Sequence, residues 1–72
     1  MNETDKKYII QSIENDVFIS YFLEKRLINS IENDYMLSIK DKDYLTIIIK
    51  HNYSLFDEFR NMLIEKINER NE

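Results

Sequence analysis

A five-residue segment of this chain occurs twice, with a spacing of eighteen residues. Residues 12–16 and 30–34 both read Ser-Ile-Glu-Asn-Asp, and each copy is followed by three apolar residues and a serine. The same spacing continues along the chain in two apolar phases, Ile13, Ile31, Ile49 and Ile67 in one, and Ile9, Leu27, Leu45 and Leu63 four residues earlier. Four residues is about one helical turn, so each unit predicts a paired apolar contact on one face of a helix.

The segments that follow each pair have the composition of helix-to-helix junctions. They are Asn15-Asp16, Asn33-Asp34 and Asn52-Tyr53-Ser54. Asn is the best substitute for Gly at a left-handed helix C-cap, and Asp or Ser is a preferred N-cap for the next helix. The chain contains no glycine, so we expect it to turn in this way. A composition rich in Ile and Asn could produce the wider matches by chance, but the junctions are also predicted on these local grounds.

The last helix has the clearest sequence signals. Ser54 is predicted as its N-cap, and Asp57 stands three residues later in the capping-box position. Apolar residues then recur at spacings of three and four residues, namely Phe56, Phe59, Leu63 and Ile67. This pattern predicts a helix from residue 55 to about residue 69.

The first half of the chain predicts either two helices or one. Thr4 or Asp5 can cap a helix that ends at Asn15, and Asp16 can open a second helix that continues to Ile31. A single apolar stripe also runs through both segments, so they could instead form one long helix. Its members are Ile10, Ile13, Val17, Tyr21, Ile28 and Ile31.

Residues 35–49 are compatible with two structures. Tyr35, Leu37 and Ile39, and then Leu45, Ile47 and Ile49, alternate with other residues around 41–43, which is typical of a β-hairpin. Against a hairpin, the turn contains no Gly or Asn, and the sheet would have only two strands. In the helical alternative, Asp41 or Asp43 caps a short helix that ends at Asn52. That helix would bury Tyr44, Ile47 and Ile48, with Leu45 as a further candidate.

We therefore predict a single helical domain over residues 1–72, an all-α bundle of four helices, or of three if the first two merge. The alternative is an α+β fold with a central β-hairpin at 35–49 between helices. A core of this size contributes roughly 3–5 kcal/mol. The chain has no cysteine and one histidine, so neither a disulfide nor a zinc site is expected to supplement the core. Self-association is the remaining source of additional stability, so we expect a homodimer.

Residues suited to catalysis or to metal binding are few. His51 stands at the predicted end of an element, where histidine commonly meets the last carbonyls of a helix. Two acidic pairs, Asp41 with Asp43 and Glu14 with Asp16, are better explained as caps and solvated turns than as cation ligands. The serines lie in no nucleophile elbow, and without glycine there is no usual phosphate-binding loop. We expect no enzyme activity, no catalytic residues, no cofactor and no metal.

Charge and hydropathy narrow the range of partners. The net charge of −4 and the pI near 4.9 disfavour direct binding to nucleic acid, including through a helix–turn–helix at 42–51 and 55–69. The longest uncharged apolar stretch, residues 17–23, is far shorter than the roughly 20 residues that a bilayer-spanning helix needs. The last helix lacks the strongly basic face of interfacial helices. We expect a cytoplasmic protein that contacts neither membrane nor nucleic acid directly.

The aromatic content points to an interaction surface. Nine aromatic residues make up 12% of a chain that can bury few of them completely. The simpler interpretation places phenylalanines in the core and tyrosines at its rim. The functional one is a contiguous patch for a partner protein, with candidates Phe18, Tyr21, Phe22, Tyr35, Tyr44 and Tyr53. The hypothesis is a small regulator or inhibitor that binds another protein. The alternative is an acidic nucleic-acid mimic that blocks a DNA- or RNA-binding protein.

Overall fold

Four α-helices make up the computed structural model, which describes residues 1–69. They are α1 (Glu3–Glu14), α2 (Tyr21–Glu32), α3 (Ile39–Lys50) and α4 (Asp57–Glu69). Each helix begins eighteen residues after the one before it, so the sequence repeat is a repeat of helices. Helices occupy 71% of this part of the chain and no strand occurs in it. The all-α prediction is confirmed.

Two alternatives raised by the sequence are wrong. The β-hairpin at 35–49 is absent because most of that segment forms α3, in which Leu45, Ile48 and Ile49 are buried at helical spacing. The merger of the first two segments does not occur, because residues 15–20 connect α1 to α2 without helix. The helical prediction for α3 was itself partly wrong, since Tyr44 and Ile47 are exposed.

The core consists mainly of the eight repeat positions. Each helix contributes two of them, one turn apart, and all eight are fully buried: Ile9, Ile13, Leu27, Ile31, Leu45, Ile49, Leu63 and Ile67. Leu37 and Ile48 complete the buried cluster. The paired contacts predicted from the eighteen-residue spacing are confirmed, because a pair one turn apart on each helix faces the same interior.

The helices form two helical hairpins, α1 with α2 and α3 with α4, and α1 also packs against α3. A pair of contacts shows that the two hairpins are alike. Lys6 Nζ donates to the carbonyl of Glu32 at 3.2 Å, and Lys42 Nζ donates to the carbonyl of Asn68 at 3.2 Å. The two donors are thirty-six residues apart, and so are the two acceptors. Thirty-six residues is the length of one helical hairpin with its connection, which we call the hairpin repeat.

Contacts between the hairpins show how they are oriented. Asn52, just after α3, donates from Nδ2 to Ser12 Oγ near the end of α1 at 2.7 Å. At the opposite end, Lys66 of α4 forms an ion pair with the buried Asp5 of α1. Helices α1 and α3 therefore run parallel. The connections 15–20 and 51–56 lie at one end of the bundle, and the connection 33–38 lies at the other.

The helix caps differ from those predicted. The N-caps are Asn2, Ser20 and Ser38, whose side chains accept from the amides of residues 5, 23 and 41. None of the N-caps is a residue predicted for that position, namely Thr4, Asp5, Asp16, Asp41 or Asp43. The first two connections are longer than predicted because each returns an apolar side chain to the core before the capping serine, Ile19 in one and Leu37 in the other.

The conformation of the junctions also differs from the prediction. Asn15 and Asn33 have φ of −83° and −101°, so neither adopts the left-handed conformation. The positive φ falls one residue later, at Asp34, with φ 54°. Helix α4 begins at Asp57 and not at residue 55, because Ser54 donates its amide and hydroxyl to Asn52 Oδ1 in a turn.

Candidate protein-interaction surface

Large apolar side chains are exposed at the end of the bundle that carries the connections 15–20 and 51–56. We call these residues the loop-end surface: Val17, Phe18, Tyr21, Phe22, Tyr53 and Phe56. Their exposed fractions run from 65% for Tyr21 to 94% for Phe18. The surface combines residues of both helical hairpins, because the first four belong to the α1–α2 connection and the start of α2.

The local structure of each connection places these side chains outside the core. Asp16 Oδ1 accepts the amide of Phe18 at 2.8 Å, which closes a tight turn directly after α1. Ile19 then packs against the core, so that Val17 and Phe18 are left on the outside. In the second connection Leu55 packs inward, while Tyr53 and Phe56 on either side of it are exposed.

The exposed side chains of the two hairpins adjoin one another. Val17 and Phe18 line a shallow hollow together with His51. The His51 ring meets the Tyr53 ring edge to face at a centroid distance of 6.1 Å. Tyr53 and Phe56 line a second hollow. The surface is therefore continuous from Phe18 through His51 and Tyr53 to Phe56. Tyr21 and Phe22 lie at the start of α2, at the same end of the bundle, and their rings contact each other edge to face at a centroid distance of 6.0 Å.

Basic side chains lie beside the tyrosines of this surface. The Lys25 ammonium lies 5.3 Å from the Tyr21 ring centroid, and the Arg60 guanidinium lies 5.2 Å from that of Tyr53. Arg60 also forms an ion pair with Asp57 and donates to the carbonyl of Asn52 at 3.3 Å. These contacts hold the Tyr53 ring in place by a cation–π interaction while most of the ring stays exposed.

Four of the six predicted interaction residues come together here, and two do not. Phe18, Tyr21, Phe22 and Tyr53 belong to the loop-end surface. Tyr35 is exposed at the opposite end of the bundle, and Tyr44, exposed by 36%, lies on α3.

The sequence interpretation missed Val17 and Phe56. In the sequence Val17 fits an apolar helical stripe, but it also stands eighteen residues before Tyr35 and thirty-six before Tyr53, which are junction residues. That spacing was the signal that could have identified it. The prediction that Phe56 lies on the apolar face of the last helix is wrong, because Phe56 precedes α4 and is 88% exposed.

His51 and Asp41 both make contacts within the fold. His51 Nδ1 donates to the carbonyl of Ile47 at 2.8 Å at the end of α3, as predicted. Asp41 pairs with Arg26 at 2.5 Å instead of capping α3. Within residues 1–69, no three His, Asp or Glu side chains are grouped so that they could hold a metal ion.

Comparisons with known proteins give no family for this chain. No protein-family model, no curated protein and no solved structure matches it. In the part of the chain that the structure describes, none of the helices is long and apolar enough to cross a membrane.

Proposed function

We propose that this protein is a protein-interaction module that docks its loop-end surface on a partner protein and acts as a regulator or inhibitor of that partner. The observation that carries the proposal is the gathering of five exposed aromatic side chains, from both helical hairpins, at one end of the bundle. Aromatic residues are enriched in the buried centres of protein interfaces, and tyrosine offers a large contact area at a low cost in conformational entropy.

The area of this surface matches that of a specific interface. A fully buried aromatic side chain removes roughly 150–250 Å² from solvent. Five of them, each exposed by 65% or more, offer on the order of 800 Å², which is the contribution of one partner to a standard interface. Contiguous apolar patches of several hundred square ångströms on a small protein commonly mark interaction sites.

The nucleic-acid mimic receives less support than the apolar docking surface. A mimic needs carboxylates that are free to contact a basic cleft, but several of them face basic side chains of the same chain. Ion pairs join Asp5 to Lys66, Asp34 to Lys6, Asp41 to Arg26 and Asp57 to Arg60. These pairs reduce the negative potential that such a mimic would present.

The test is a pull-down from lysate of the source cell with the tagged full chain and two double variants. Phe18→Ser with Phe56→Ser removes exposed rings from the loop-end surface. Met36→Ser with Ile39→Ser removes apolar side chains that are also mostly exposed, 78% and 80%, from the opposite end of the bundle. All four side chains lie outside the core, so both variants should keep the fold, which circular dichroism verifies.

We expect a partner that is retained by wild type and by the Met36/Ile39 variant, at low and at high salt, and that is lost with the Phe18/Phe56 variant. Retention by both variants would overturn the assignment of the loop-end surface. A nucleic-acid enzyme that is released by high salt and unaffected by either variant would support the mimic instead, because contacts between exposed charges are screened by salt.

A further inference from the structure

The last residues of the leading helices α1 and α3 occupy equivalent positions beside the loop-end surface and carry opposite charge. Glu14 ends α1 and Lys50 ends α3, thirty-six residues later in the same position of the hairpin repeat. Both side chains are exposed at the rim of the loop-end surface. Among the residues described, no ion pair within the chain engages either of them. One rim position is thus negative on the first hairpin and positive on the second.

The next positions of the repeat extend this contrast. Asp16 follows α1, and its equivalent after α3 is the uncharged Asn52. At the start of α4, the negative charge of Asp57 is offset by its ion pair with Arg60. Carboxylates thus stand at two positions of the first hairpin where the second hairpin has an ammonium group and an uncharged amide. The contrast is confined to these positions, because the exposed Glu58 lies on the second hairpin and the exposed Lys25 on the first.

We propose that a second copy of this chain covers the loop-end surface, in a two-fold symmetric dimer in which the first hairpin of each copy lies on the second hairpin of the other. The inference rests on one part of the proposed function, the assignment of the loop-end surface as a protein interface, and it names a second copy as the protein that occupies it. In a dimer of this symmetry, each contact between two residues occurs twice. Glu14 of each copy then lies opposite Lys50 of the partner subunit, so two favourable pairs form around the apolar centre.

The charges select this arrangement over the other end-to-end dimer. A two-fold axis turned by 90° in the plane of the interface would place the first hairpin on the first hairpin of the partner. Glu14 would then face the same carboxylate of the second copy, and Lys50 would face the same ammonium group. Like charges opposed in this way disfavour that arrangement.

Area and size also favour a second copy as the occupant. The surface offers on the order of 800 Å² per chain, which is enough for a stable dimer. The ten-residue buried cluster is small, and a chain of this length commonly relies on a supplement such as oligomerisation. Burial of five aromatic side chains on each copy would supply that supplement.

Charge exchange between two variants tests the proposed arrangement directly. Glu14→Lys alone places two ammonium groups opposite each other at both rim contacts, and Lys50→Glu alone does the same with carboxylates. Each variant should raise the dimer dissociation constant about tenfold. When the two variants are mixed, a heterodimer has opposite charges at both contacts, so its affinity should return to within about threefold of wild type. The double variant Glu14→Lys/Lys50→Glu should recover in the same way.

The measurement is sedimentation equilibrium of the full chain over a wide concentration range, for wild type, each variant and the equimolar mixture. Lys40→Glu is the matched control, because Lys40 is exposed near the start of α3 at the opposite end of the bundle. It should dissociate as wild type does. A wild-type mass of one chain at every concentration would overturn the dimer, and equal weakening in the mixture would overturn the proposed arrangement.

Failure of the dimer is distinguishable from failure of the proposed function. The charge variants leave all five aromatic side chains of the loop-end surface in place. If wild type is monomeric and a different partner is still lost with the Phe18/Phe56 variant, the surface binds that partner and the second copy is excluded as its occupant. If the chain is monomeric and that variant changes no interaction, both proposals fail.

Discussion

Asn52 donates from Nδ2 to the Oγ of Ser12 at 2.7 Å, across forty residues of chain. Ser12 is 3% exposed, and its own hydroxyl donates to the carbonyl of Tyr8 at 2.8 Å. The same Asn52 side chain accepts both the amide and the hydroxyl of Ser54 through Oδ1. One amide group therefore joins the two helical hairpins beneath the loop-end surface and also closes the turn that presents Tyr53.

Replacement of Asn52 by Ala should destabilise the fold by about 1–3 kcal/mol, because it removes three hydrogen bonds and leaves the buried Ser12 hydroxyl without its donor. Urea unfolding followed by circular dichroism measures this change. Asn61→Ala is the control, since Asn61 is exposed on α4, and it should change stability by less than about 0.5 kcal/mol. Equal effects of both variants would contradict the role of Asn52 as a link between the hairpins.

Two neighbouring isoleucines of α3 should respond differently to the loss of one methylene. Ile49 is fully buried and Ile47 is 55% exposed. Ile49→Val should cost about 0.5–1.5 kcal/mol, because the vacated space is only partly filled by relaxation of its neighbours. Ile47→Val should cost less than about 0.5 kcal/mol. Denaturant midpoints of the two variants give the comparison.

The repeat extends this prediction to the other helices. Ile13, Ile31 and Ile67 occupy the same phase and the same burial as Ile49. Valine at any one of these positions should therefore cost a similar amount, within the scatter expected for core sites. A position that tolerates the change at no cost would show that the four helices do not contribute equivalently to the core.

The core could be predicted from the sequence because burial imposes a strict spacing on it. Every helix must direct one pair of side chains, one turn apart, toward the same interior. Because successive helices begin eighteen residues apart, these side chains recur at the same interval, as Ile13 and Ile31 do. The caps could not be predicted in this way. Local capping preferences favoured Asp16, but the position of the cap is set by the burial of Ile19, which is a tertiary contact.

The serine N-caps provide a direct test of this difference between local preference and structure. Ser38 Oγ accepts the amide of Asp41 at 3.1 Å at the start of α3, whereas Asp43 lies exposed within the helix. Ser38→Ala should cost about 1 kcal/mol, because one amide of the first turn loses its acceptor. Asp43→Ala should be neutral or slightly stabilising, since alanine has the higher helix propensity. Thermal unfolding of the two variants distinguishes them, and a larger loss for Asp43→Ala would favour the sequence-based assignment.

The sequence indicates that aromatic side chains form the interaction surface, but it predicts only part of where they lie in the fold. Phe18 and Tyr53 could be identified as exposed aromatic candidates, but their proximity depends on how consecutive helices alternate in direction. Antiparallel helices place successive junctions at opposite ends of a bundle. The first and third junctions therefore meet, and Tyr35 of the second junction is carried to the far end, although it has the same repeat phase as Tyr53.

The ion pair between Lys66 and Asp5 should contribute to stability more than an exposed pair does. The Asp5 side chain is only 5% exposed, and that of Lys66 is 38% exposed. Lys66→Met keeps most of the aliphatic stem and removes the charge, which leaves a buried carboxylate without its partner. The cost should be about 1–3 kcal/mol, below that of a fully buried pair because solvent screens the partly exposed ammonium group.

Lys25→Met, at an exposed lysine of α2, is the control and should change stability by less than about 0.5 kcal/mol. Urea unfolding of both variants measures the difference, and equal stabilities would mean that water solvates Asp5 as effectively as the ammonium group does.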